Sequence, residues 1–269
     1  MRRGVKAPRF GQNPGAMSTQ RPNVVLLTAT VVAPHDARNL ARRDVAVRLQ
    51  DYLEAFDFYL QELAHGAFDA LVLCENSGFD LAPFADRASN AGLQDRVELI
   101  GHRGLDHPAQ HGRGYGEFKL VDHAMRHSRL IAGLGADVQV WKVTGRYKVR
   151  NLARLIASQP EHADLYCHCR NVPTPWLDMY LMRWNRRAYA ELIQGLYHQL
   201  RQDETPVSAE RRFRDIIDRT SSRLRIVRRF AHVPRIDGVR GFDARPYGAM
   251  WRKHLARVMA NRLVPWIWI

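Results

Sequence analysis

A chain of 269 residues with 46% hydrophobic content can bury a sizeable core, as one enlarged domain or two small ones, which excludes a disordered polymer. Its 41 Lys and Arg against 27 Asp and Glu give a net charge of +14, a balance that attracts polyanions: nucleic acid, anionic lipid or phosphorylated substrates. The 3 cysteines make no even disulfide framework and fit a reducing, cytoplasmic setting, and no run of about 18 apolar residues offers itself to a bilayer.

Residues 1–22 carry Arg2, Arg3, Lys6 and Arg9 among Gly, Pro, Gln and Ser, without the apolar stretch that a signal peptide needs, and read as a disordered basic tail. From Val24 to Val32 the chain is continuously apolar and rich in β-branched residues, and Pro34 closes the run. That is the pattern of a strand buried on both faces. The spacing of Leu49, Leu53, Phe56 and Leu60 predicts a helix over 36–63. Its early arginines (Arg38, Arg42, Arg43, Arg48) form either a solvated face or part of a diphosphate grip. A second buried strand, Ala70 to Cys74, ends in Glu75-Asn76-Ser77-Gly78; a short helix over 83–91, a third strand over 97–100 and a polar loop over 101–111 follow. Strands alternating with helices predict an α/β fold with a mostly parallel sheet, whose ligands bind beyond the carboxyl ends of its strands.

The stretch Gly112–Arg150 organises the rest. Gly112, Gly114 and Gly116 stand at alternate positions, where strand or helix would gain no packing, so they predict a loop whose backbone comes close to a partner. Glu117 then opens an amphipathic run with Phe118, Val121 and Met125 at helical spacing, and a helix N-terminus is a good seat for phosphate. The spacing is neither a Walker A loop nor the dinucleotide fingerprint, and an ordinary tight turn is the competing reading. A short β-rich run, 138–143, then ends in Lys142-Val143-Thr144-Gly145-Arg146-Tyr147-Lys148, which sets a hydroxyl, a flexible turn and a fixed cation at the ligand edge.

Gly-Arg-Gly-Tyr-Gly-Glu, a helix, then Lys-Val-Thr-Gly-Arg-Tyr resembles bacterial glycosyltransferases that assemble capsule, O-antigen and other surface polysaccharides. The resemblance runs from Val24 to the Pro-Arg-Ile-Asp-Gly-Val-Arg-Gly segment at 234–241 and is strongest at these two motifs. It implies a Rossmann-like sheet of the GT-A type and a nucleotide-sugar donor, which is a substrate and not a cofactor. Gly112, Gly114, Tyr115, Gly116, Glu117, Lys142, Thr144, Gly145, Arg146 and Tyr147 would then hold the donor. Asn76 or Ser77 would read its base or ribose, unless both merely cap a helix. Many such enzymes hold a divalent cation with Asp-x-Asp at the end of the strand over 138–143. Thr144-Gly145-Arg146-Tyr147 stands there instead, so no metal is expected and Arg146, with Lys142 or Lys148, would stabilise the departing diphosphate.

Beyond Arg150 the sequence predicts a helix over 151–158 and a strand over 163–170. Cys167-His168-Cys169 tempts a zinc reading, but His168 faces away from the two thiols on a strand and no second ligand pair follows. Val172 to Asp178 is a stiff turn whose Trp176 either stacks on an acceptor sugar, with Asp178 beside it, or joins the core. Leu181, Tyr189, Leu192, Ile193 and Leu196 predict one long helix over 179–201. An inverting transfer needs a carboxylate near the acceptor hydroxyl. The resemblance nominates Glu210, with Asp178, Asp203 and Glu117 as rivals; Ser208 as a helix N-cap with Glu210 in the first turn is the structural alternative.

Residues 211–262 hold 15 Lys and Arg against 4 Asp, and 247–269 interleave Trp251, Leu255, Met259, Leu263 and Trp266 with Arg252, Lys253, Arg257 and Arg262. That reads as an interfacial helix on an anionic membrane, suited to a glycan acceptor on a lipid, or as a last helix on the core. The division expected is a tail (1–22), a nucleotide-sugar-binding α/β half (23–170), a helical acceptor half (171–246) and a basic amphipathic helix (247–269). Sulfotransferases and nucleotidyltransferases share the α/β logic. A nucleic-acid-binding module fits the charge, but no zinc finger, helix-turn-helix or RNA-recognition signature is present, so nucleic acid is not an expected partner.

Overall fold

The computed structural model describes residues 21–35, 40–204, 207–220, 223–239, 255, 257–260 and 263. The first apolar run becomes β1 (Asn23–Ala29), buried throughout. Asp44 then caps α1 (Val45–Ala64) by accepting a hydrogen bond from Val47 N at 2.8 Å. The helix therefore starts at 45, not at 36, and Arg38 lies outside the described residues. β2 (Ala70–Glu75), α2 (Ala82–Asn90) and β3 (Val97–Gly101) follow in the expected alternation. Next come α3 (Arg113–His127), α4 (Arg129–Gly133) and β4 (Gln139–Thr144).

After β4 the elements shorten: β5 (Lys148–Val149), α5 (Leu152–Ala157), β6 (Leu165–Tyr166), β7 (Cys169–Arg170), β8 (Trp176–Leu177) and β9 (Leu181–Trp184). The last are α6 (Arg186–Ala188), α7 (Ala209–Arg219), β10 (Ile226–Val227) and β11 (Ile236–Asp237). The expected strand over 163–170 is two short ones, and the long helix over 179–201 does not form. Its first residues, Leu181 to Trp184, are all buried as a strand against β4 and β6, and the rest becomes short helical turns. Burial on both faces produced the same apolar density that a helical stripe would.

Seven strands form one sheet in the order β10-β6-β9-β4-β1-β2-β3, in which β9 runs against its two neighbours and the other pairs are parallel. It is the mostly parallel, helix-flanked α/β sheet that the alternation predicts. Because β9 lies between β4 and β6, the described part of 171–246 is not purely helical; it adds strands to the sheet begun by 23–170. On one face Val24, Leu26, Val140 and Trp184 pack with Phe118 and Val121 of α3 and Phe213 of α7. On the other, Val25, Leu27, Leu73 and Trp141 pack with Phe56 and Tyr59 of α1 and Phe84 of α2. The chain thus leaves β1 for β2 over one face and reaches β4, on β1's other side, over the opposite face. The connections part to opposite faces at the carboxyl ends of β1 and β4, the switch point at which open α/β sheets place their ligand crevice.

The glycine run is placed differently from the expected loop. Gly112 has φ 85° and ends the preceding turn, but α3 starts at Arg113, so Gly114 and Gly116 lie in its first turn. Gly114 is there for close approach: a Cβ on it would lie 2.2 Å from Ala209 Cβ at the start of α7. Of the terminal helix, residues 255, 257–260 and 263 are helical, with Leu255, Met259 and Leu263 exposed; Trp251 and Trp266 lie outside the described residues. No described helix is long and apolar enough to cross a membrane.

Gly-to-Ala inside a helix ordinarily stabilises by roughly 0.5–1 kcal/mol. Gly114→Ala is expected to reverse that sign and cost about 1–3 kcal/mol, because overpacking forces α3 and α7 apart. Urea unfolding of the variant measures it, and a stabilised Gly114→Ala would refute the α3–α7 packing.

Candidate active site

The two tips singled out in the sequence meet. Thr28, next to last in β1, lies opposite Thr144 of β4 in register, and both hydroxyls donate to Glu117 Oε1, at 3.1 and 2.9 Å. Lys142 Nζ, fully buried one turn of pleat below, donates to the same oxygen, to the Met179 carbonyl at 2.6 Å and to Thr144 Oγ1 at 3.3 Å. Glu117 Oε1 therefore collects three donors, while Oε2 accepts none from a described residue and the side chain stays 23% exposed. Burial pushes the Glu117 carboxyl up, but the Lys142 charge and these hydrogen bonds outweigh it and hold it below the ordinary glutamate range. Lys142 is itself lowered, because burial of its ammonium outweighs the help from Glu117.

Gly145 makes the close approach its sequence position promises. Its N–H donates to Thr28 O at 2.9 Å, and a Cβ there would sit 2.7 Å from that carbonyl oxygen. Arg146, next along, lies with its guanidinium 5.1 Å from the Tyr147 ring centre and donates from Nε to Val239 O at 3.3 Å. It forms no ion pair with a described carboxylate. Its charge opposes protonation of Arg42, Arg48 and Lys142, although the hydrogen bond to Asp51 leaves Arg42 raised on balance, so it adds to a positive potential at this edge. Tyr147 is buried and its carbonyl accepts from Tyr59 Oη at 2.7 Å.

The early arginines divide. Arg48 is buried and donates to the carbonyls of Thr30, Val31 (3.0 Å) and Arg42 (3.2 Å), tying down the chain that leaves β1. Arg42 makes a two-point pair with Asp51, at 2.5 and 2.7 Å. Neither is a solvated surface charge, and neither offers a free fork to a ligand.

Asn76 and Ser77 stand on the same edge beyond β2, but their polar atoms brace loops. Asn76 Oδ1 accepts from Thr30 Oγ1 at 2.6 Å, and Ser77 Oγ donates to Glu75 and accepts from Val32 N at 3.0 Å. Neither caps a helix: α2 begins after Leu81 without a side-chain cap. Glu75, fully buried, organises this turn by accepting from Val31 N, Ser77 N and Phe79 N.

Glu210 sits in the first turn of α7 behind the N-cap Ser208, as the structural alternative required. The Gly114–Ala209 contact brings that turn onto the start of α3, so the charges of Glu210, Glu117 and Lys142 interact. Burial raises the Glu210 carboxyl, and the Glu117 charge adds to the rise against the opposing pull of Arg113. Trp176 is half-buried under the Arg170 guanidinium, 5.6 Å from the ring centre, and Arg170 Nη2 donates to buried Asp178 at 2.8 Å. These two form a braced knot adjoining Met179, not a part of the Glu117 cluster. Asp203 is held by Arg201 at 2.7 Å, near His111. Cys167 and Cys169 point the same way, Sγ to Sγ 4.0 Å, and among the described residues no group of three or more His, Cys, Asp or Glu converges as a metal site.

Sequence reasoning missed Thr28, Glu75 and the Met179 carbonyl. The first two had a signal, since each is a polar residue at or one short of the end of an apolar strand; the third had none.

The sequence matches no protein-family model and no curated protein. Solved structures are similar in general chain path. One is a Desulfovibrio desulfuricans protein assigned as a nucleotide-diphospho-sugar transferase, 15% identical over 77% of this chain and 78% of that one, TM-score 0.46. An active-site mutant of LgtC is 12% identical over 87% and 95%, TM-score 0.47. A nucleoside-diphosphate-sugar pyrophosphorylase from Vibrio cholerae is 11% identical over 72% and 87%, TM-score 0.40. Likenesses this distant transfer neither a reaction nor a residue's role.

Removing the Glu117 charge leaves a buried ammonium without its counter-ion. Glu117→Gln is expected to cost roughly 3 kcal/mol in chemical unfolding, and adding Lys142→Met is expected to recover most of it. The Glu117 pKa is depressed on folding, so the pair's contribution is complete above the ordinary glutamate range and fades as pH falls below it. No recovery in the double variant would mean that the pair is not the source of the loss.

Proposed function

We propose that the chain is a glycosyltransferase that moves a sugar from a nucleotide-sugar donor to a glycan acceptor, without a divalent metal. The observation that carries this reading is the meeting of the 112–117 and 142–147 tips at the β1–β4 crevice. There Glu117, whose Oε2 accepts from no described residue, stands with Arg146, which ion-pairs with no described carboxylate, and with Glu210, whose carboxyl burial raises. The donor diphosphate would lie toward Arg146, whose charge stabilises the leaving group as the bond from the anomeric carbon to the nucleoside diphosphate breaks. The acceptor hydroxyl oxygen forms the new bond to that carbon while Glu210 takes its proton. Glu117 Oε2 would accept from a sugar hydroxyl and fix the donor's orientation. Support for metal independence is the Thr144-Gly145-Arg146 sequence at the end of β4, where paired aspartates would otherwise hold a cation.

The wider setting we propose is surface-polysaccharide synthesis, with a lipid-linked acceptor and the enzyme held on the inner face of the membrane. The exposed Leu255, Met259 and Leu263, spaced four residues apart on a helical segment, support that orientation.

A thermal-shift panel of UDP-, GDP- and CMP-sugars is expected to give a stabilising response to at least one, lost in Arg146→Ala. Absence of any such response, together with salt-sensitive binding of nucleic acid, would favour a nucleic-acid-binding role instead.

Turnover measured with EDTA present is expected to fall about 10²–10³-fold in Glu210→Gln while the thermal shift persists. A base must be ionised, so the wild-type rate falls as pH drops through the raised Glu210 pKa, and the glutamine variant loses that limb. A Glu210→Gln enzyme of near-normal rate removes Glu210 from the mechanism.

A further inference from the structure

The sheet edge opposite the crevice carries an open cavity of about 450 Å³. It is framed by the amino ends of β1, β4, β6 and β10 and by the chain just past β9, and its lining includes four arginines, Arg21, Arg187, Arg223 and Arg225. Arg187 is paired with Glu191 at 2.8 Å, but Arg21, Arg223 and Arg225 form no ion pair with a described carboxylate. Asp164 is already occupied: Oδ1 accepts from Asn185 Nδ2 and Oδ2 from Arg225 N, both at 2.8 Å, with Arg187 4.0 Å away. Asp137 is the second acid on the wall. Arg21 donates to a neutral group, the Glu161 carbonyl, at 2.6 Å. The exposed guanidinium groups of Arg223 and Arg225 neither hydrogen bond nor ion pair with any described residue.

A second observation is independent of charge. Gln139, at 2% exposure, lines the cavity; its Nε2 donates to Asp137 O at 2.7 Å, but its Oε1 has no partner among the described residues. A buried acceptor left open is costly unless a donor reaches it. A wall that offers several cationic forks and one buried acceptor calls for a ligand with anionic oxygens and a hydroxyl. Arginine forks match phosphate geometry, and a concave basic wall concentrates such anions. The volume suits a small molecule.

We propose that this cavity binds a small phosphorylated polyol of the sugar-phosphate class, the arginines taking the phosphate and Gln139 Oε1 accepting from a hydroxyl. The length of the sheet separates it from the β1–β4 crevice, so the proposal does not depend on the reaction assigned there.

The test is calorimetric titration of the full chain with glucose 1-phosphate at low and moderate salt. The wild type is expected to bind saturably, and more weakly as salt rises. The double variant Arg223→Gln/Arg225→Gln is expected to bind at least roughly tenfold more weakly, since hydrogen bonds to charged groups are the strong ones. A charge-matched control, Arg129→Gln/Arg154→Gln, removes two exposed arginines that do not line the cavity and is expected to keep wild-type affinity. Equal affinity in the Arg223/Arg225 variant, equal losses in both variants, or no saturable binding by the wild type would each overturn the proposal. Thermal melting checks that the variants are folded; should the double variant not melt cooperatively, Arg225→Gln alone is titrated against the same criteria.

Discussion

A fully buried ammonium is the constraint on which the rest of this structure depends. Lys142 lies inside the sheet face with no exposure, and an isolated charge there would be too costly to keep. Glu117, brought in on α3, meets the requirement, with Thr28, Thr144 and the Met179 carbonyl completing the shell. One interaction therefore joins β1, β4, α3 and the entry to β9. It also explains the packing around it. α3 must lie low over the sheet to bring Glu117 to Lys142, and α7 must lie close to α3, which is why a glycine faces Ala209.

β1 and β2 were legible because each is a continuous apolar run, and β3 and β4 because their apolar, β-branched residues outweigh the single charges Glu98 and Lys142. β6, β7, β8, β10 and β11 are two residues each, and no periodicity can announce an element of that length. β9 was hidden for another reason. Leu181, Met182 and Trp184 are buried on both faces of a strand, and their density merges with Leu192, Ile193 and Leu196 into an apparent helical stripe. Only the partners at β4 and β6 decide between the two, and partners are not written locally.

At the crevice, residue types were readable and relations were not. Lys142, Thr144 and Glu117 stood out as polar groups at element ends, and they converge. That they bind one another before they bind anything else depends on the crossing of α3 over β1 and β4. Gly114 shows the same limit: a glycine at a loop-like spacing turned out to serve helix contact, because Ala209 lies 95 residues further along the chain. Asn76 and Ser77 were placed at the correct edge, yet Glu75, one residue earlier, governs the turn.

The placement of β9 has a consequence for how the chain is made. β4 can pair with β1 on one side before its other partner exists, since that edge is covered by a strand roughly 40 residues later in the chain, and unpaired backbone in the interval invites intermolecular pairing. A chain ending before β9 holds the β4-β1-β2-β3 part of the sheet with the β4 edge uncovered. Lys142, whose shell needs the Met179 carbonyl at the threshold of β9, is fully sheltered only once β9 is in place.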